Sequence, residues 1–247
     1  MNNIISSKAK IGNNVRFGNF VTVYDDVEIG DNSTIESYCE IGYSNGREKM
    51  SLTIGDNAKI RSHSIIYQGS VIGNNLMTGH HVVIRENMQI GDGFQAGVGS
   101  VIMGETVIGN YVKTGSMVEI GQFSKIGNYV WIYLNSYLIN DLYPPSDTII
   151  GPEISDYAIL GTACIIMPGV KVGRNSIVAA GCVLKDNLPD NQIAVGNPNR
   201  IIGPISKIKI PGTDQDAYPW RYRFHRGYPA DVVDVWMKEE HEDVSKS

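Results

Sequence analysis

Large apolar residues recur every six positions along most of this chain. Ile11, Phe17, Val23, Ile29, Ile35 and Ile41 form a first run. A short insertion, YSNGREKMSLT, shifts the phase by one residue. The beat then resumes at Ile54, Ile60, Ile66 and Ile72 and continues to Ile132 and Leu138. A third run holds Ile154, Leu160, Ile166, Val172, Val178 and Leu184. Glycine often follows an anchor, and the fourth residue after it is usually Val, Ser, Ala or Cys. Neither a helical period of 3.6 nor simple strand alternation accounts for this. One large and one small inward side chain per six residues predicts a short strand plus a turn, and such units wind into a β-helix. The expected fold is all-β: a solenoid over residues 1–203 with loop insertions near 43–53 and 139–149, then an extension over 204–247.

The repeat resembles that of the hexapeptide-repeat acyltransferases. Three shorter stretches sharpen the likeness. INDLYPPSD, from Ile139, looks like the Asn-Asp-x-Tyr/Phe-Pro loop of the family's sugar-nucleotide N-acyltransferases. TGHHVVIREN, from Thr78, resembles a Thr-Gly-His segment of their relatives. The stretch from Ile154 to Ile202 matches the carboxy-terminal coils of the acyl-CoA-dependent branch. The resemblance implies a left-handed parallel β-helix of triangular section with three hexapeptides per coil. It also implies a homotrimer with acyl-CoA lying between two prisms.

With 18 residues per coil, residues 18 apart stack about 4.8 Å apart. Two columns of anchors are then uniformly aliphatic from Ile54 onward. The third reads Ile60, Thr78, Ala96, Thr114, Ile132 and loses bulk in its middle. Beside that face, His63 and His81 fall in one column with Asn135, and His80 falls in the next with Ser62. The loop YLINDLYPPSDTIIG leaves the chain just after this face. Its Asn140 and Asp141 extend columns that hold Gln68, Glu86 and Gln122, and Asn87, Glu105 and Phe123. A smooth prism has no pocket; a loop stiffened by Pro144 and Pro145 supplies a wall for one.

Acyl transfer from a thioester requires an amine held against the carbonyl and a steadied oxyanion. His80 is the expected catalytic base and His81 its alternate. Arg85, Glu86, Asn135, Asn140, Asp141 and Tyr143 are the expected acceptor ligands. Gly161, Thr162, Ala163, Ala179 and Ala180 leave backbone uncovered for a pantetheine arm. Lys185, Asn197, Pro198 and Arg200 follow at the same end for the nucleotide. The resulting expectation is an acetyl-CoA-dependent N-acyltransferase of a nucleotide-linked amino sugar, in making surface polysaccharide, with acetyl-CoA as co-substrate and no tightly bound cofactor. An O-acetyltransferase of a small hydroxyl acceptor is the alternative. A zinc carbonic anhydrase on the same prism ranks lower, because Glu86 stands where that relative's second histidine belongs, and no metal site is expected.

Net charge of −5 and a pI near 5.5 argue against a nucleic-acid partner. No apolar run suits a signal peptide or a membrane span. Cys39, Cys164 and Cys182 all fall on the small inward position, so they read as buried hydrophobes of a cytoplasmic protein. The tail segment PADVVDVWMKEEHE predicts one short helix, placed over the open end of the solenoid or on a neighbour. Arg221, Arg223 and Arg226 precede it as candidate phosphate ligands.

Overall fold

A computed structural model describes residues 2–46 and 50–245 of the 247-residue chain. Arg47, Glu48 and Lys49, inside the first expected insertion, lie outside the described residues. Among the described residues short strands stack into three sheets of ten, nine and eleven strands, parallel and each taking every third strand of the chain until the third sheet ends in Gln192–Val195 and the antiparallel Arg200–Pro204. The result is the left-handed parallel β-helix expected. We call the faces A, B and C, beginning with Ile4–Ile5, Lys10–Ile11 and Arg16–Phe17 respectively. Registers follow the 18-residue step, as in Ile66 with Ile84, Ile72 with Ile90 and Thr114 with Ile132.

The anchors point inward and are buried from Val23 onward. Glycine follows them because the next coil is too close for a side chain. A Cβ on Gly91 would lie 2.5 Å from Asn110 Oδ1 and 2.9 Å from the Asn110 amide nitrogen. The turn is completed two residues later by a left-handed residue, for example Asn75 (φ 60°), His81 (φ 57°) and Tyr129 (φ 59°). Asn tolerates this region best; where larger residues take it, their rings stack along the edge. The small inward position is often Ser, whose hydroxyl ties adjacent coils. Ser100 Oγ donates to Gly115 O at 3.1 Å and accepts from the Val118 amide at 3.2 Å.

The thinning of face C is compensated inside the prism. Ala58 precedes Ile60 by two residues, whereas Leu76 precedes Thr78, Phe94 precedes Ala96 and Val112 precedes Thr114; Ala158 then precedes Leu160. All are buried, Phe94 fully. Bulk lost at the anchor is restored one inward step earlier, as close packing requires. The Thr hydroxyls also replace ladder carbonyls, accepting from the Arg61 amide at 2.9 Å and the Gly97 amide at 3.1 Å. The lost bulk on this face is therefore core packing and does not itself mark an opening.

Both insertions leave the edge between faces A and B. Across the first, Ile29 pairs with Ile54; across the second, Ile126 pairs with Ile154. After the antiparallel strand Arg200–Pro204 the chain leaves the coil, makes short 3-10 turns at Ile205–Lys207 and Trp220–Tyr222, and ends in the helix Ala230–Ser245. This extension neither caps an end nor leaves its own prism. Tyr111, Tyr129 and Tyr157 stack along the B–C edge, and Trp236, 1% exposed, meets Tyr129 edge-on at 5.1 Å. The tyrosine edge offers apolar ring faces that the extension buries. Among the described residues no helix is long and apolar enough to cross a membrane.

Candidate functional site

The predicted residues occupy two edges of face A. The C–A edge carries His63, His80, His81, Asn135, Gly161, Thr162, Ala163, Ala179 and Ala180. The A–B edge carries Arg85, Glu86, Asn140, Asp141, Tyr143 and Lys185. In one chain the loop of Asn140 and Asp141 therefore stands one edge away from the histidines, and three coils further along. The hairpin turn with Asn197 and Pro198 closes over the last coil, where the Lys185 amide donates to Asn199 Oδ1 at 3.1 Å and Arg200 is exposed.

On the C–A edge, Phe20, Tyr38, His63 and His81 stack in sequence, with centroids 5.2, 4.9 and 4.8 Å apart. His63 and His81 thus face each other through their rings. His80, half exposed, is held differently: its Nδ1 lies 2.9 Å from Ser62 Oγ and 4.0 Å from Glu36 Oε2. Glu36 is itself fixed by Arg61 at 2.5 Å and by the Ser62 amide at 3.2 Å. Burial works to raise the Glu36 carboxyl, but these donors outweigh it and hold it below the usual carboxylate range. His80 Nε2 has no protein partner among the described residues.

Sequence reasoning stacked Ser62 with His80 but missed Glu36 and Arg61 beside them. The signal was available: Glu36 and Arg61 stand between Gly18 and the run Gly79, Gly97 and Gly115 of one column. Charged residues in a glycine column, one and two coils below a histidine, stand close to it.

The same edge exposes unpaired backbone. At the B–C edge, Asp or Asn side chains cap successive turn amides, as Asp92 Oδ1 caps Asn74 at 2.7 Å. At the C–A edge the amides of His80, Val98, Ser116, Leu134, Thr162 and Ala180 have no acceptor among the described residues. They form a rail of donors five coil steps long, about 24 Å at the inter-strand spacing.

On the A–B edge Arg85 clasps Glu86 through two bonds of 2.7 and 2.9 Å and lies 4.9 Å from the Tyr67 ring centre. Asp141 accepts from the Tyr143 amide at 3.0 Å, the Ser146 amide at 3.0 Å and Ser146 Oγ at 2.7 Å. The Ser146 bonds hold its carboxyl below the usual range. Asp141 thus shapes its own loop, while Tyr143 is 76% exposed. Among the described residues no three His, Cys, Asp or Glu side chains converge as a metal-binding group.

This geometry is that of a left-handed β-helix built of hexapeptide repeats. Residues 8–43 match the family described as bacterial transferase hexapeptide (six repeats). A galactoside O-acetyltransferase of Lactococcus lactis is 35% identical over 65 residues, which is 26% of this chain and 29% of that protein. A 2,3,4,5-tetrahydropyridine-2,6-dicarboxylate N-acetyltransferase of Clostridium perfringens is 36% identical over 66 residues, 27% of each chain. The matched region thus spans under a third of these relatives' length. The whole prism superposes on an Arabidopsis UDP-N-acetylglucosamine acyltransferase with TM-score 0.70 at 15% identity, covering 98% of this chain and 88% of the other. A Campylobacter jejuni UDP-N-acetylglucosamine acyltransferase gives TM-score 0.54 at 18% identity, covering 94% and 79%.

Proposed function

We propose that the protein is an acyl-CoA-dependent N-acyltransferase, with acetyl-CoA as donor and the amine of a nucleotide-linked amino sugar as acceptor. The observation that carries this reading is the amide rail beginning at His80. A pantetheine arm is an extended chain of amides, and evenly spaced free donors along one edge match its carbonyls as a strand partner would. Laid along the rail, the arm runs from Ala180 toward His80, with its phosphates toward Lys185 and Arg200. Asn197 and Pro198 shape the turn beside them.

The chemistry follows from the partners of His80. With Nδ1 protonated and donating to Ser62 Oγ, Nε2 keeps its lone pair for the acceptor amine. The amine attacks the thioester carbonyl, His80 Nε2 takes its proton, and the oxyanion collapses with cleavage of the carbon–sulfur bond. The proton then passes to the departing thiolate. Glu36 steadies the imidazolium, and His81 closes the side of the site formed by the stacked rings. Asn135, Arg85, Glu86, Asn140, Asp141 and Tyr143 are proposed for the acceptor. Because His80 and the Asn140 loop stand on different edges of one prism, the complete site is shared between copies in a homotrimer.

The test is thiol release from acetyl-CoA with a panel of nucleotide amino sugars and their hydroxy counterparts. His80→Ala is expected to lower kcat by about 10²–10⁴-fold while acetyl-CoA binding by calorimetry stays within about threefold of wild type. Unchanged turnover removes His80 from the chemistry. The similarity to a galactoside O-acetyltransferase favours a second reading, O-acetylation; turnover confined to hydroxy sugars would establish it in place of the first.

A further inference from the structure

A pocket of about 410 Å³ lies on the outside of face C, between the prism and the extension. That volume falls in the range of small-molecule sites. Trp131 and Ile159 form its floor, and Tyr218, Trp220, Phe224 and Tyr228 come from the extension. Trp131 Nε1 donates to the Tyr228 hydroxyl at 2.8 Å, and the Trp220 and Tyr228 rings lie 5.4 Å apart, so these walls brace one another. Tyr133 completes the pocket toward the C–A edge, where the next residue, Leu134, belongs to the amide rail. Tyr133 and Phe224 are 45% and 49% exposed, which leaves both rings available for stacking.

The charges here are cationic and unanswered. Arg226 lines the pocket and makes no ion pair or hydrogen bond among the described residues. Its neighbours are engaged, Arg221 with Glu239 at 3.3 Å and Arg223 with Glu240. Lys113, only 5% exposed, sits 4.0 Å from the Tyr228 ring centre and 5.0 Å from that of Trp131. Its Nζ donates to the Gly227 carbonyl at 3.2 Å and meets no carboxylate among the described residues. Burial, and then the charge of Arg226, push the Lys113 ammonium below the ordinary lysine range. Arg226 is exposed and free to meet a ligand, and Lys113, set against the Tyr228 and Trp131 rings, adds positive potential behind the pocket, so open aromatic rings beside them suit an aromatic anion. A neutral sugar leaves the charges unmet, and a cation, which aromatic cages otherwise favour, is repelled.

We propose that this pocket binds a nucleoside phosphate, with the base stacked among Trp131, Tyr133 and Phe224 and a phosphate on Arg226. The inference stands without acyl transfer, and it leaves two sources for the same chemistry: the adenosine bisphosphate end of an acyl-CoA or the nucleotide of an activated sugar. The full chain is titrated with 3′,5′-ADP, UDP and dTDP and with the matching nucleosides, following tryptophan fluorescence and calorimetry. At least one nucleotide is expected to saturate and to bind about tenfold or more tightly than its nucleoside. Arg226→Ala is expected to reduce that preference below about threefold, and Tyr133→Ala to weaken the nucleotide about fivefold or more. Both side chains are surface-facing, and an unchanged Tm in each variant confirms an intact fold. Preference for 3′,5′-ADP assigns the pocket to the donor; preference for UDP or dTDP assigns it to the acceptor. No saturation at millimolar nucleotide overturns the proposal. So does nucleotide binding that neither variant alters by more than about twofold, an outcome that places the nucleotide elsewhere and leaves the acyltransferase reading intact.

Discussion

Phe94 shows how a single inward residue serves this fold. It fills the volume that Ala96 leaves in the middle of face C, and its ring is fully buried. Phe94→Ala is expected to cost about 3–5 kcal/mol, read as a lowered urea midpoint at unchanged slope. Adding Ala96→Ile recreates the arrangement of Ala58 and Ile60, so the double variant should recover more than half of that loss. Failure to recover would show that the two positions do not share one volume. Glu86 offers a second test at the same scale. Burial works to raise its carboxyl, but the bidentate Arg85 clasp outweighs burial and depresses the folded-state value below 4.5. A depressed acid contributes stability above its unfolded pKa and loses it as pH falls through the folded one. The pair's contribution should thus be complete at neutral pH and fade below about pH 4.5. Glu86→Gln should flatten that acid limb of the stability profile, and an identical limb in the variant would refute the assignment.

At the scale of the element, the coils and the extension obey different rules. A coil is written locally: six residues carry an anchor, a close-approach glycine, a left-handed turn and a small inward side chain. For that reason the faces, the registers and the shared edge of His63, His80 and His81 were legible in the sequence by counting in eighteens. The same counting puts the two insertions on the A–B edge, so the Asn140 loop leaves after face A and not, as expected, directly after face C. The helix of the extension was legible in its own segment, but its placement on the prism was not, because its partners are remote. Trp220 Nε1 donates to the Tyr157 carbonyl, 63 residues away, and Lys113 reaches Gly227 across 114. No period connects them. Docking of the helix should depend on Trp236, the largest side chain sealed between it and the tyrosine edge. Trp236→Ala is expected to release the segment beyond Pro204 to limited proteolysis while the solenoid's far-UV dichroism persists, since repeat coils contact only their neighbours. Loss of both signals at one midpoint would make the extension integral to the prism.

At the scale of the whole molecule, the prism separates what the proposed reaction must bring together. Face A lies between the rail with His80 on one side and the loop with Asn140 on the other, and a rigid solenoid cannot fold that face shut. A neighbouring copy can supply the missing edge, and threefold closure would repeat the shared site at each contact. This arrangement makes a demand that a self-contained chain does not. His80→Ala and Asn140→Ala homotrimers should each be inactive, because every site lacks one partner. Chains co-expressed in equal amounts and assembled at random should regain activity. A site is intact when the copy lending the histidine carries only the Asn140 change and the copy lending the loop carries only the His80 change. Each condition holds half the time, so about a quarter of wild-type turnover is expected, with light scattering giving a mass of three chains. Turnover that stays at the level of the parents in a verified mixed trimer would mean that one chain holds its whole site, and that the loop on the A–B edge serves some other end.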